Sequence, residues 1–373
     1  MIPGFFVYVY ILLGLLVCVF DIVKTPPKQY NRIFNVTIFF LAFLAAFSYG
    51  VGSDTMAYRD EFREMPTLSK LSVDDFLFTR YQPLYVLICS SCRTIYDDLL
   101  ALQILQITLF YHSFYIVLKK LDLRKFWVLF LFFGYCFIAI LSARRECFGL
   151  AFCLYAIPYF VGKKWVRYYI LVFAGFLCHT GMIVFALFPL IKLLGKNDYL
   201  NISFIFLLVY LVKFILPYAQ LLEGVVNNDD SLLRYGLDNS EKMGISTIIL
   251  CLCQLAVFVW FAIKKNRGYL KGYARDFVYI GILYVTLGFL SSSLPILYRF
   301  RVHFSIFSYY TLSICFKNAK RYGAIIVFLI FVVFSYTPLS TFINACKIEP
   351  LTYNYCSYFS SQESKRQMDM LAR

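Results

Sequence analysis

The stretch that decides the fold runs from Phe126 to Val161, FWVLFLFFGYCFIAILSARRECFGLAFCLYAIPYFV. Two apolar runs, 126–142 and 147–161, flank the short charged sequence Arg144-Arg145-Glu146. An apolar helix of about 20 residues crosses a hydrocarbon core of about 30 Å, and both runs approach that length. The stretch therefore predicts two neighbouring membrane-spanning helices, with two arginines at the tight connection between them.

Similar apolar runs recur along the whole chain. Its 373 residues are 61% hydrophobic and only 15% charged, with a mean hydropathy of +0.70, which ordinary soluble domains do not approach. We predict an all-α integral membrane protein, a single polytopic membrane domain over residues 1–373 with about ten transmembrane helices. The first run lacks a basic n-region and a cleavage site, which favours a retained span over a signal peptide. The candidate spans are 3–23, 33–51, 99–118, 126–142, 147–161, 198–218, 246–263, 276–294, 297–316 and 322–340.

The net charge of +15 indicates topology rather than nucleic-acid binding, and no nucleic acid is expected as a partner. Twenty of the 36 basic residues lie in short loops that separate alternate pairs of spans, where acidic residues are scarce. By the positive-inside rule these loops face the cytoplasm. Both termini and two longer loops, 52–80 and 219–245, then lie on the outer face of the membrane.

Two apolar segments do not fit simple crossings. Tyr81 to Tyr96 is short and carries Pro83 and Arg93, and Tyr168 to Leu190 has basic flanks on both sides. The second segment is interrupted midway by His179-Thr180-Gly181. Broken backbone at membrane depth is tolerated only where protein or a water-filled cavity covers it. We therefore predict two re-entrant or hairpin segments in addition to the spans.

Four arginines stand at outward membrane-edge breaks, namely Arg144, Arg145, Arg299 and Arg301. A guanidinium near lipid costs about 2.5–3.5 kcal/mol at the helix centre on insertion scales, so such residues usually face a cavity and have a partner. One interpretation is snorkelling together with a pair to Glu146. The other is a clamp for an anionic lipid head group, ideally a diphosphate, because planar guanidinium groups bind phosphate oxygens bidentately.

Asp54 follows an apolar run directly, in the loop sequence Gly50-Val-Gly-Ser-Asp-Thr-Met-Ala-Tyr58. Spacing of i, i+4 would place Asp54 and Tyr58 on one face of a short helix. Asp54 or Ser53 could simply cap that helix, or Asp54 could take a proton from an attacking sugar hydroxyl. The remaining acids of this loop, Asp60, Glu61, Glu64, Asp74 and Asp75, are predicted to form a solvated face.

His179 lies at the break of the second hairpin, where Gly181 permits a bend. It could be a packed core histidine, or it could donate to a phosphate or orient a sugar hydroxyl. No second histidine or carboxylate has metal-ligand spacing to it, so no zinc site is expected. Tyrosines also recur near outward breaks, where their rings could stack on sugars or form an interfacial belt; these are Tyr58, Tyr81, Tyr85 and Tyr298.

The order of these motifs resembles the Wzy-type polysaccharide polymerases, in particular the EpsG-like branch. The matching features, in chain order, are the Gly50 to Tyr58 loop, Tyr81-Gln-Pro-Leu84, an arginine opening a middle helix (Arg144 or Arg145), Lys163-Lys164 with His179-Thr-Gly181, and Tyr298-Arg299. They span nearly the whole chain. The chain departs from the family pattern at Gln82, where members often carry Glu, and at Gly181, where Ser is commoner.

The resemblance implies a GT-C-like fold with neither a nucleotide-sugar site nor an essential metal, and no cofactor is expected. It implies polymerisation of undecaprenyl-diphosphate-linked oligosaccharide repeat units at the periplasmic face of the bacterial inner membrane. The four arginines would stabilise the diphosphate leaving group, Asp54 or His179 would serve as base or orienter, and Tyr58, Tyr81 and Tyr298 would contact sugar. A chain-length regulator and a flippase are the candidate partner proteins.

Two other functions share much of this pattern. A flippase or transporter for the same lipid-linked glycans would also contain arginines and many spans, but it would be expected to show internal repeats, and none is visible. An O-antigen ligase or acyltransferase shares the topology and differs in the acceptor. A ligase usually has one large outer loop late in the chain, whereas the longest predicted outer loops here are 52–80 and 219–245.

Overall fold

The computed structural model describes residues 5–22, 26–51, 54–77, 81–121, 124–193, 198–207, 210–211, 245–264, 273–290, 306–314, 356–362 and 365. These residues are almost entirely helical, with one isolated antiparallel bridge between Ser48 and Ser357. The chain divides into two compact units, the first formed by Met1–Ala186 with Ser335–Arg373 and the second by Leu187–Phe334. The all-α prediction is confirmed.

The first unit contains nine α-helices in the described residues. In chain order they are α1 Phe5–Leu16, α2 Pro27–Ala46, α3 Thr55–Glu64, α4 Asp74–Leu77, α5 Pro83–Ile95, α6 Leu99–Lys120, α7 Lys125–Ser142, α8 Arg144–Val161 and α9 Trp165–Phe176. A π-helical turn, Val17–Ile22, extends α1.

Helix α7 lies at the centre of this unit, because its sequence is apolar on every side and a helix of that kind is buried all round. Phe126 to Phe133 are at most 2% exposed. The Phe130 ring stacks on Tyr10 of α1 at 4.3 Å between centroids, and Phe132 stacks on Phe110 of α6 at 5.5 Å. Aromatic packing of this kind positions α1 and α6 against α7.

The outer faces of several helices are apolar and exposed. On α2, Val36 is 63% and Phe39 72% exposed, and on α9, Val166 is 75% and Phe173 60% exposed. Two helices in the described part of the chain, Phe5–Ile22 and Leu99–Lys120, are long and apolar enough to cross a membrane. The count of about ten spans stays a prediction.

The two segments predicted to be re-entrant differ in form. The first is the single helix α5, whose 13 residues rise about 20 Å, short of a hydrocarbon core of about 30 Å. The second consists of α9 and a 3₁₀ helix, Thr180–Leu193. Its two arms fold back on each other and are joined by a hydrogen bond from the Tyr168 hydroxyl to the Phe185 carbonyl. The hairpin packs closely on α8, where a Cβ on Gly149 would lie 3.0 Å from the Gly175 carbonyl oxygen.

The second unit contains helices Asp198–Leu207, Ile245–Lys264, Tyr273–Leu290 and 306–314 in its described residues. Buried hydrogen bonds join them: the Tyr279 hydroxyl donates to Asp198 and accepts from Asn201, and Thr311 donates to the Phe277 carbonyl at 2.5 Å. Nearly all of the predicted outer loop 219–245, much of span 297–316 and all of span 322–340 lie outside the described residues.

Candidate anion-binding site

Four helix ends meet at one end of the first unit: the end of α2, the start of α6, the end of α7 and the start of α8. The side-chain nitrogen of Gln103 shares its two N–H groups among the carbonyls of Ala45 and Ala46, 3.0 Å away each, and of Ser48, 2.6 Å away. Gln106 donates to the Ile140 carbonyl at 2.9 Å. The last carbonyls of a helix lack intrahelical partners. The two glutamine amides satisfy such carbonyls and tie the four ends together.

The other face of the glutamine pair holds Arg144. The Arg144 guanidinium donates to Gln103 Oε1 at 2.8 Å and to Gln106 Oε1 at 3.1 Å. Arg144 is only 2% exposed, and its Nε is buried with no hydrogen-bond partner in the part of the chain that the structure describes. The interpretation of Arg144 as a snorkelling residue paired with Glu146 is therefore wrong. Neutral amides hold this charge in the interior without neutralising it.

The position of Arg144 in its helix also favours the binding of an anion. The predicted connection shrinks to Ala143, and Arg144 and Arg145 are the first two residues of α8, which begins without a side-chain cap. A helix N-terminus carries a partial positive charge that favours anions and disfavours cations. A buried charge costs several kcal/mol unless it is paired. Two arginines at a helix N-terminus therefore form a site whose electrostatics suit a phosphate group.

Arg145 brings the predicted sugar-binding tyrosines to this site. Its guanidinium interacts electrostatically with the Tyr58 hydroxyl of α3 and lies 5.1 Å from the centre of the Tyr81 ring. Its Nε, like that of Arg144, is buried without a hydrogen-bond partner among the described residues. Tyr85 of α5 is 2% exposed and lies within electrostatic range of Arg144. Arg144 and Arg145 thus lie close to three of the tyrosines that recur near the predicted outward breaks, namely Tyr58, Tyr81 and Tyr85.

Helix α3 carries two carboxylates on the face that bears Tyr58. Asp54 occupies the N-cap position, but its side chain makes no capping hydrogen bond and the residue is exposed, so the capping interpretation is not supported. Glu61, predicted to lie on a solvated face, is half-buried with one carboxylate oxygen shielded from solvent, and it interacts electrostatically with Arg145. Asp75, predicted to lie on the same solvated face, is partly exposed, and hydrogen bonds from Ser72 hold its pKa below the ordinary value.

His179 lies at the break of the hairpin, beside α8. Its Nδ1 accepts a hydrogen bond of 3.2 Å from the Gly181 amide, so the ring proton of the neutral imidazole resides on Nε2, which can donate. The Leu84 amide at the start of α5 donates to the Leu177 carbonyl at 3.0 Å. Cys178 packs in the same apolar cluster as Tyr85 and Phe148. The break therefore adjoins the tyrosine side of the site.

Tyr298, Arg299 and Arg301 lie outside the described residues, so their part in the site stays a prediction. Among the described residues no group of three or more His, Cys, Asp or Glu side chains could hold a metal ion. The residues that the sequence analysis missed are Gln103, Gln106 and Glu61. The glutamines did leave a signal, since two amides at i, i+3 in an apolar helix lie on one face and must find partners there.

Comparison with known families gives one result. The model of the EpsG family matches residues 31–360 of the 373. No curated protein and no solved structure matches the chain. The matched range includes α3 to α9 and most of α2, and it includes all the residues described above around Arg144 and Arg145.

Proposed function

This chain belongs to the EpsG family, and on that premise we propose that it is a membrane-embedded glycosyltransferase that polymerises the repeat units of a surface polysaccharide. The repeat units would be oligosaccharides linked to undecaprenyl diphosphate. The chain would lie in the bacterial inner membrane with its site facing the periplasm. Family membership supports the polysaccharide-related role, and the site supports the choice of a lipid-diphosphate substrate.

The membrane setting is supported by the outward faces of the helices. Large apolar side chains such as Phe39 and Val166 are more than 70% exposed, and contiguous apolar surface of this kind is costly in water but favourable in lipid. The positive-inside rule then places the connection between α7 and α8 on the side opposite the basic loops at Lys119–Lys125 and Lys163–Arg167. Arg144 and Arg145 accordingly face outward.

The single observation that carries the proposal is the burial of Arg144 against two neutral amides. A guanidinium that is 2% exposed, at the positive end of a helix, and whose Nε finds no hydrogen-bond partner among the described residues, is costly unless an anion pairs with it. A diphosphate would supply negative charge and several acceptor oxygens. Arg145, beside Tyr58 and Tyr81, would contribute the second guanidinium.

The chemistry follows from this placement. The bond between the anomeric carbon of the donor sugar and its diphosphate oxygen breaks, and the lipid diphosphate leaves with the electron pair. A hydroxyl of the acceptor unit forms the new bond to that carbon and gives up its proton. Arg144 and Arg145 stabilise the negative charge that develops on the leaving group, which is the role of preorganised donors in catalysis. Asp54 and Glu61 are the candidate proton acceptors, and His179, whose Nε2 carries the ring proton, would orient a hydroxyl or donate to a phosphate.

The test is to delete the gene and separate the surface polysaccharide on a gel. Loss of a polymerase leaves single repeat units, loss of a flippase leaves no repeats at the surface, and loss of a ligase leaves polymer on the lipid carrier. We expect wild type to restore the ladder, whereas Arg144→Gln and Arg145→Ala should not, at normal protein levels in the membrane. Arg63→Ala, at an exposed position on α3, is the matched control and should restore it. An unchanged ladder in the deletion strain would refute the proposal.

A further inference from the structure

A distant part of the chain, the segment 356–362, reaches the same end of the first unit. The Tyr49 amide donates to the Cys356 carbonyl at 2.7 Å, and the Tyr358 amide donates to the Phe47 carbonyl at 2.9 Å. These two bonds flank the bridge between Ser48 and Ser357. They fix the backbone directly after α2, where the chain has left the helix and its amide and carbonyl groups need partners.

This segment is linked to Arg144 through a short series of hydrogen bonds. Ser48 lies between the two backbone bonds, and its carbonyl accepts from Gln103 at 2.6 Å. Gln103 in turn accepts from Arg144 at 2.8 Å. Phe359 anchors the segment, with its ring 4.9 Å from that of Phe47. Whatever displaces the segment therefore disturbs the amide that orients Arg144.

Tyr358 itself lies beside the site. Its ring meets Tyr49 edge-on at 5.1 Å, and its hydroxyl lies within electrostatic range of both Arg144 and Arg59. The Lys365 ammonium lies 5.4 Å from the Tyr49 ring centre and 5.7 Å from that of Tyr358. Burial, together with the nearby Asp98 carboxylate, raises the pKa of the Tyr358 hydroxyl above its ordinary value. The hydroxyl therefore keeps its proton and can donate to an anion.

We propose that the segment 356–362 forms part of the substrate site and that the Tyr358 hydroxyl donates a hydrogen bond to the diphosphate bound by Arg144. This inference rests on the proposed function, because it requires a lipid diphosphate as the ligand. No covalent step involves Tyr358. It is a positioning residue: it orients the diphosphate against the guanidinium groups, and the segment that carries it holds the end of α2 in place.

The probe is undecaprenyl diphosphate, with the uncharged alcohol undecaprenol as its matched control ligand. In purified full-length protein, Tyr358→Phe removes the hydroxyl and keeps the backbone bonds and the ring. We expect it to raise the Kd for undecaprenyl diphosphate about tenfold, as for the loss of one hydrogen bond to a charged group, and to leave the Kd for undecaprenol unchanged. Tyr96→Phe, at an exposed position after α5, should change neither value.

The two failures are distinguishable. Wild-type protein that binds undecaprenyl diphosphate no more tightly than undecaprenol would overturn the proposed function itself. Wild-type protein that prefers the diphosphate, together with a Tyr358→Phe variant of unchanged Kd, would overturn only the role of Tyr358. An equal loss of affinity for both ligands would also overturn it, because a purely structural defect does not discriminate between them.

Discussion

The two ends of the first unit each bury one charged side chain, and they treat it in opposite ways. At one end Asp21 is fully buried and accepts hydrogen bonds of 2.7 Å from the Tyr30 hydroxyl and from the Trp127 amide in the first turn of α7. At the other end Arg144 is 2% exposed and contacts two glutamines at the start of α8. Helix α2, about 30 Å long, connects the two ends.

The difference lies in the match between charge and helix dipole. A carboxylate at the N-terminus of α7 has the favourable sign, and its two donors complete a capping arrangement between distant parts of the chain. A guanidinium at the N-terminus of α8 has the unfavourable sign, and its two acceptors are neutral. Asp21 thus stabilises the protein as it stands, whereas the placement of Arg144 suits the ligand of the proposed function. Function concentrates where the local electrostatics are unfavourable without a ligand.

Replacing an aspartate by asparagine at each end, Asp54 at the site and Asp21 at the opposite end, tests this contrast. The larger effect on the polymerisation rate is expected at the site. Asp54→Asn should lower the polymerisation rate about 100-fold, the lower bound for removal of a general base. The thermal unfolding temperature should not change, because the Asp54 side chain makes no capping hydrogen bond that an amide would alter. The measurements are initial rates with a lipid-linked repeat unit and thermal unfolding in detergent. A wild-type rate would remove Asp54 from the list of bases and leave Glu61.

Asp21→Asn should have the reverse profile. The amide group can accept only one of the two hydrogen bonds and places a donor against the other, which should cost about 1–3 kcal/mol of folding free energy. We expect the thermal unfolding temperature to fall by several degrees, while the folded fraction retains its rate per molecule. If Asp21→Asn reduced the rate per folded molecule as strongly as Asp54→Asn does, the two ends would be functionally coupled. The distinction between a stabilising end and a functional end would then be wrong.

The smallest effect is expected from changing the charge beside Arg144 while keeping the shape. Gln106→Glu places a carboxylate against the guanidinium and supplies from within the protein the negative charge that the ligand would bring. We expect the Kd for undecaprenyl diphosphate to rise about tenfold more than in Gln106→Met, which removes both hydrogen bonds of the Gln106 side chain and adds no charge. Equal affinities in the two variants would mean that the charge of Arg144 does not attract the ligand.

Much of the fold could be predicted from the sequence. Long apolar runs between basic loops determine that the chain is helical, and the break at His179 marks the hairpin because a polar and glycine-containing interruption cannot continue an apolar helix. The i, i+4 relation between Asp54 and Tyr58 was also predictable, since it depends on local spacing. The start of α8 at Arg144 was not, because the apolar run begins only at residue 147 and the spacing placed Arg144 in the connection. The segment 356–362 was not, because pairing between such distant residues leaves no local pattern.

The sequence by itself determined which residues could carry the chemistry, in that Arg144, Arg145, Asp54, Tyr58 and Tyr81 all appear as polar interruptions of apolar sequence. Only the tertiary structure decided which of these residues contact each other and which are buried. The hydrogen bond between Arg144 and Gln103 joins residues 41 positions apart. It forms because the starts of α6 and α8 lie together at one end of the first unit. Helical periodicity specifies which face a residue occupies. It does not specify which other helix that face will pack against. The packing of α8 on α6 is what leaves Arg144 buried beside neutral partners.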